Sequence, residues 1–66
     1  MTITVNGKAQ EIADGATVAD LLRLLGLPPE RVAVERNRDI VPRATFGEVR
    51  LAGGDRVEIV TFVGGG

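Results

Sequence analysis

Side chains that usually carry chemistry are scarce in this chain of 66 residues, which contains neither histidine nor cysteine. Without an imidazole there is no ready general base near neutral pH, and without a thiol there is no thiolate nucleophile or soft metal ligand. The phosphate-loop spacing G-x-x-x-x-G-K-S/T does not occur. Gly53-Gly54 precedes a strand-like run, not a helix, so it reads as a turn and not as an anion cradle. The acids stand singly, and Glu30, Glu35, Asp39, Glu48 and Asp55 read most simply as solvated surface groups. No metal site and no bound cofactor are expected. What remains is Phe62-Val63-Gly64-Gly65-Gly66, an apolar run leading into three glycines and a carboxylate.

Gly64 and Gly65 have no Cβ, so an extended tail can pass through a tunnel too narrow for any larger residue. A loose end is the plain alternative, because chain termini fray and glycine is easily left unordered. Elimination of the other reactive groups shifts the weight to the Gly66 carboxylate. A free carboxylate is a poor acyl donor, so activation must come from outside. An adenylating partner that consumes ATP would convert Gly66 to an acyl adenylate, and a sulfur donor would displace AMP to leave a thiocarboxylate.

The remaining composition bounds the partners. A net charge of -1, with both signs interspersed, gives no electrostatic footprint for nucleic acid or an anionic membrane. Two aromatics, Phe46 and Phe62, are too few for a base-stacking platform. No run approaches the roughly 18 apolar residues of a membrane span, and the start lacks the basic segment of a secretion signal. The expected location is cytoplasmic. The expected organisation is one small folded body over residues 1–63 with a flexible glycine tail at 64–66.

Positioning that tail falls to the elements before it. Thr2 to Val5 alternate, with Ile3 and Val5 on one face, which predicts a half-buried strand. Asn6-Gly7 suits the positive φ angles of a type I′ turn, so a second strand at about Lys8 to Ile12 is expected to fold back antiparallel. Ala13 to Ala16 reads as a loop. Thr17 is the expected N-cap of a helix over Val18 to Leu25, with Asp20 in its first turn to meet free N–H groups. Val18, Leu21, Leu22 and Leu25 form one apolar stripe, Gly26 suits a left-handed cap, and Pro28-Pro29 block continuation. Arg31 to Arg36 reads as a third strand with Val32 and Val34 inward, and Asn37-Arg38-Asp39 as a polar turn. Ile40-Val41 is a short strand that Pro42 confines to an edge or ends. Arg43 to Gly47 is open to more than one reading, one of them a helical turn that buries Phe46. A short extended piece at Glu48 to Leu51 follows. After a turn at Ala52 to Asp55, Arg56 to Val63 is the longest strand.

Hairpin, helix and further strands in this order define an α+β class, with a β-grasp, ubiquitin-like layout as the expected fold. A mixed sheet of four to five strands packs on one main helix, with the final strand central and parallel to the first. A ferredoxin-like sandwich would require a second helix of comparable length. In the final strand Val57 and Ile59 take the core parity, which sets Val60 and Phe62 on the opposite face. An exposed aliphatic and aromatic pair beside the tail reads as a partner-docking patch. The alternative is that a loop covers both, or that Phe62 folds over the sheet edge.

Taken in order and spacing, these segments resemble the ThiS family of thiamine-biosynthesis sulfur carriers over essentially the whole chain. The resemblance is carried by Val5-Asn6-Gly7, by Ala16-Thr17-Val18-Ala19-Asp20-Leu21-Leu22, by Val34-Glu35-Arg36-Asn37 with Ile40-Val41-Pro42-Arg43, and by the run from Gly54 to Gly66. It implies a β-grasp carrier that is not itself an enzyme. A ThiF-like adenylyltransferase would adenylate it at the expense of ATP. A sulfur donor, such as a cysteine desulfurase or a rhodanese-type protein, would thiolate it, and a ThiG-like thiazole synthase would receive the sulfur. Gly65 and Gly66 match the family's terminal pair, with Gly66 bearing the sulfur, and Gly64 stands at a variable position. Phe62 and Val63 match the segment that approaches both partners. Arg36, Arg38 and Arg43 read as solvated arginines more readily than as contacts to an acidic partner. Two other readings stand beside this one: a carrier for molybdopterin or another sulfur-transfer pathway, and a non-catalytic β-grasp interaction module with an inert tail.

Overall fold

A computed structural model describes residues 1–62. The expectations for Val63, Gly64, Gly65 and Gly66, and the boundary expected between 63 and 64, lie outside the described residues.

Two strands, β1 (Thr2–Val5) and β2 (Lys8–Glu11), form the first hairpin, with Thr4 opposite Ala9 and Val5 opposite Lys8. Its turn places Asn6 at φ +48° and Gly7 at φ +83°, the paired positive angles that a two-residue type I′ turn demands. The second strand stops at Glu11, one residue short of the expected end.

The helix α1 spans Val18–Leu25, as its caps predict. All three free N–H groups of its first turn find acceptors. Val18 donates to the Val49 carbonyl at 3.0 Å, Ala19 to the Phe46 carbonyl at 2.9 Å, and Asp20 to Thr17 Oγ1 at 3.2 Å. The Thr17 N–H in turn donates to Asp20 Oδ2 at 3.0 Å, which completes a capping box. That bond is the main reason the Asp20 carboxyl is held below its ordinary value, with the Thr17 hydroxyl and Arg23 adding to it. At the other end Gly26 adopts φ +72°, its N–H bonds the Arg23 carbonyl, and the Leu27 N–H reaches back to the Leu22 carbonyl at 2.9 Å. This is the Schellman closure that the position of Gly26 implies. Thr17→Ala removes one acceptor from the first turn, and a loss of about 1 kcal/mol is expected. A urea titration read by circular dichroism checks it, with the midpoint lowered and the slope unchanged.

The stretch expected to be extended from Glu48 to Leu51 is not a strand. It makes one isolated bridge, between Thr17 and Arg50, because its backbone serves the helix start instead of a neighbouring strand. Pro29–Arg31 and Arg43–Thr45 are single 3-10 turns, so Arg31 closes a turn where a strand start was expected. The turn at Arg43–Thr45 does deliver Phe46 to the core.

Strand β3 (Val32–Arg36) turns directly into β4 (Asp39–Val41) through Asn37 and Arg38, both at positive φ. Asp39 therefore belongs to the strand, not to the turn. Strand β5 (Arg56–Thr61) completes the five-stranded sheet, in the order β2-β1-β5-β3-β4. It lies parallel to β1, with Thr4 beside Arg56, and antiparallel to β3, with Val34 beside Ile59. The core is the layer between this sheet and α1, where Val18, Leu21 and Leu22 meet Ile3, Val32, Val34, Val57 and Ile59. Leu25, expected in the same stripe, stays 36% exposed at the last helical position, where the stripe runs past the buried layer.

Candidate functional site

Strand β5 is central in the sheet, so it is held from both sides, and it is the last element among the described residues. Its register with β3 continues past the regular strand, where the Phe62 N–H donates to the Arg31 carbonyl at 2.8 Å. On the other side Asn6 takes hold of the same strand. Its Oδ1 accepts from the Ile59 N–H at 2.7 Å and its Nδ2 donates to the Ile59 carbonyl at 3.0 Å. One side-chain amide thus supplies both bonds that a neighbouring strand would make. The choice of Asn in the first turn fixes the geometry of the last strand.

The start of β5 is fastened by Asp55. This residue is only 7% exposed, so the expectation that it is solvated is corrected. Its Oδ2 accepts from Arg36 Nε at 2.8 Å and from the Ala52 N–H at 2.8 Å, and its Oδ1 accepts from Asn37 Nδ2 at 3.1 Å. Burial pushes the carboxyl up, but the bonds from Arg36, Ala52 and Asn37, with the Arg36 charge, outweigh it and hold the group below its ordinary value. Arg36 is correspondingly half-buried in an ion pair and is not a free surface cation. Arg43 also has partners, its guanidinium donating to the carbonyls of Pro29 and Glu30. Sequence reasoning missed these roles. An Asp at the exit of a Gly-Gly turn carries one usable signal, because such side chains tend to bond the backbone of their own turn.

The alternation along β5 comes out as expected. Val57 and Ile59 are buried, whereas Val60 is 61% and Phe62 53% exposed on the outer side. No loop among the described residues covers either. Ala33 lies opposite Val60, and Ile40, on the edge strand, is 78% exposed. Phe62 also borders a groove of about 290 Å³ shared with Pro42, Arg43, Phe46 and Ile40. Val63, the third expected docking residue, and the tail residues Gly64, Gly65 and Gly66 lie outside the described residues. Among the described residues no group of acids can hold a metal ion, and no helix is long and apolar enough to cross a membrane.

A central strand clamped from both sides and an exposed apolar patch near its end belong to a ubiquitin-like β-grasp domain. The ThiS family model matches residues 3–66, and the chain belongs to that family. It is 42% identical over 65 residues to the sulfur carrier protein ThiS of Bacillus subtilis, a match that covers 97% of this chain and 98% of that protein. It is also 47% identical over 66 residues to a thiazole synthase of Magnetococcus marinus and 42% identical to one of Paramagnetospirillum magneticum. The chain spans 20% of the length of each of these two proteins. The crystal structure of the thiamine biosynthesis protein ThiS from Geobacter metallireducens superposes with a TM-score of 0.85 at 38% identity, covering all of both chains.

Proposed function

We propose that this chain is a sulfur carrier of thiamine biosynthesis, acting through the carboxylate of Gly66. The observation that supports it above all is that the family match continues through the glycine tail to residue 66. The chain's lack of histidine and cysteine leaves it without an imidazole base or a thiolate nucleophile of its own. In the first step a carboxylate oxygen attacks the α-phosphorus of ATP on a ThiF-like adenylyltransferase, and pyrophosphate leaves. In the second a hydrosulfide-equivalent nucleophile attacks the acyl carbon, the bond to the AMP oxygen breaks, and AMP leaves behind a thiocarboxylate. Where a cysteine desulfurase or a rhodanese-type protein is the donor, the terminal sulfur of its cysteine persulfide attacks the acyl carbon as AMP leaves. A thiol then reduces the resulting acyl disulfide to the thiocarboxylate, itself becoming part of a disulfide. The acceptor is a ThiG-like thiazole synthase, a reading supported by the two thiazole synthases that contain a domain similar to this chain.

In this scheme the body performs no bond chemistry and is a co-substrate of its partners. Its contribution is positional: Asn6 and Asp55 fix β5, and Val60, Phe62 and Val63 dock against the partner while Gly64 and Gly65 thread toward its active site. Cytoplasmic ATP serves the adenylation, and the carrier itself holds no cofactor. Intact mass is the direct readout. After incubation with ATP, the cognate adenylating enzyme and a sulfur source, one oxygen is expected to be exchanged for sulfur at the C-terminal residue. An unchanged mass in the presence of active enzyme overturns the proposal.

A further inference from the structure

The first turn carries a reactive pair that the carrier chemistry does not use. Asn6 is followed by Gly7, both are exposed, and both stand at positive φ. A backbone nitrogen can attack the amide carbon of the asparagine just before it, and a glycine on the attacking side leaves that nitrogen without a side chain to crowd it. A Cβ built on Gly7 would meet nothing within 4 Å, so its surroundings are open as well. The other asparagine, Asn37, precedes Arg38, whose side chain crowds the corresponding nitrogen. What opposes the reaction at Asn6 is the hold of its own side chain on β5. Pairing of β1 with β5 ends at Val5 and Val57, and beyond it the Asn6 amide grips Ile59 with both of its atoms, at 2.7 Å and 3.0 Å. Attack makes the amide carbon tetrahedral and expels Nδ2, so neither bond survives it.

We infer that Asn6 is a deamidation site gated by its clamp on β5, and that its conversion releases the last strand from the first turn. The Gly7 nitrogen bonds to Asn6 Cγ, the bond from Cγ to Nδ2 breaks, and the Gly7 proton leaves with Nδ2 as ammonia. A five-membered succinimide results. Water then adds to one of its two carbonyl carbons and opens the ring, leaving aspartate or, where the main chain now runs through Cγ, isoaspartate. Water is the only co-reactant, and nothing is oxidised or reduced. In either product the Nδ2 donor is gone. An aspartate carboxylate still accepts from the Ile59 N–H, but its second oxygen faces the Ile59 carbonyl, acceptor against acceptor. Isoaspartate adds a methylene to the main chain inside a two-residue turn, and so disturbs the register of Val5 with Lys8 as well. None of these steps involves the tail, so they stand apart from the sulfur-carrier reading.

Incubation at mildly alkaline pH, with and without unfolding guanidinium chloride, followed by peptide mapping by mass, measures the gate. In the unfolded chain Asn6 is expected to convert ahead of Asn37 and to give both aspartate and isoaspartate. In the folded chain conversion at Asn6 is expected to be at least about tenfold slower, because it waits for the clamp to open. Asn6→Asp stands for the first product. Near neutral pH its melting temperature is expected to lie a few degrees below that of the unaltered chain. Below the ordinary carboxylate range this deficit is expected to shrink, because a protonated carboxyl can again donate to the Ile59 carbonyl. Asn6→Ala has neither atom, and its deficit is expected not to recover in acid. Equal conversion rates in the folded and unfolded chains overturn the gate, and conversion at Asn37 first overturns the site. An Asn6→Asp chain that melts with the unaltered one at neutral pH overturns the release of β5. The rate comparison uses the unaltered chain, so it decides the gate even where Asn6→Asp fails to fold.

Discussion

Removal of Gly65 and Gly66 is expected to reduce ATP-dependent sulfur incorporation to background while leaving the folded body as stable as before. Stability is expected to survive because every residue of the hydrophobic core lies between Ile3 and Ile59, and the last described bond to the body is made by Phe62. Incorporation is expected to vanish because the proposed reaction consumes the carboxylate of Gly66, at the end of a segment without side chains. The truncated chain still has a C-terminal carboxylate, now on Gly64, but it is two residues too short, by about 7 Å of extended chain. A docked body therefore holds it away from the α-phosphate of ATP, and proximity supplies a large part of the rate of such a step. Gly65→Val separates reach from width: the length is kept, and a branched side chain is added where the proposed threading has room for none. It too is expected to lose most of the incorporation. Intact mass after a fixed incubation, with the melting curve of each variant beside it, checks both. If the truncated chain gains sulfur at the original rate, neither Gly65 nor Gly66 is needed and the threading role proposed for them is overturned.

Which features were legible in the sequence follows from how far apart their partners lie. Both ends of α1 could be read because a cap is local chemistry: Thr17 with Asp20 three residues on, and Gly26 where the chain must turn left-handed. The first hairpin was legible for the same reason, from Asn6-Gly7 between two alternating runs. Parity along β5 was enough to place Val60 on the outer face, because one buried side fixes the other, and Phe62, just past the strand, is exposed. What escaped depends on contacts between distant segments. Asn6 brackets Ile59 from 53 positions away, and Asp55 finds Arg36 and Asn37 across 19 and 18 positions. The stretch from Glu48 to Leu51 has a composition compatible with a strand, yet its neighbour is the start of a helix, and only the fold decides that.

Asp55→Ala is expected to be the most damaging single substitution among the polar residues, at about 2–4 kcal/mol. A domain of this size has a total stability of only about 3–10 kcal/mol, so the variant is expected to melt more than about 8 °C lower. Three donors converge on this one carboxylate, from Arg36, Ala52 and Asn37, and its removal leaves all three without their acceptor. The loss also reaches the start of β5, because Asn37 accepts from the Arg56 N–H at 2.9 Å and donates its own N–H to the Arg56 carbonyl at 2.7 Å. Loosening Asn37 therefore frees the first residue of the strand that leads to the tail. The effect carries a pH signature. The folded Asp55 carboxyl is held below its unfolded value of 3.8, so its contribution is fully present above that value and is lost as the pH falls through the folded one. The difference in melting temperature between the unaltered chain and Asp55→Ala is accordingly expected to be constant from neutral pH down to about 5 and to shrink only below about 4. Asp55→Asn keeps one acceptor oxygen and no charge, so its expected loss is smaller, and it too shrinks below about pH 4 because the unaltered chain loses its carboxylate there. Thermal melts of the three proteins between pH 7 and the acid limit check the pattern. A gap that instead closes between pH 5 and 7 would show that another titrating group, and not this buried carboxylate, holds the start of the last strand in place.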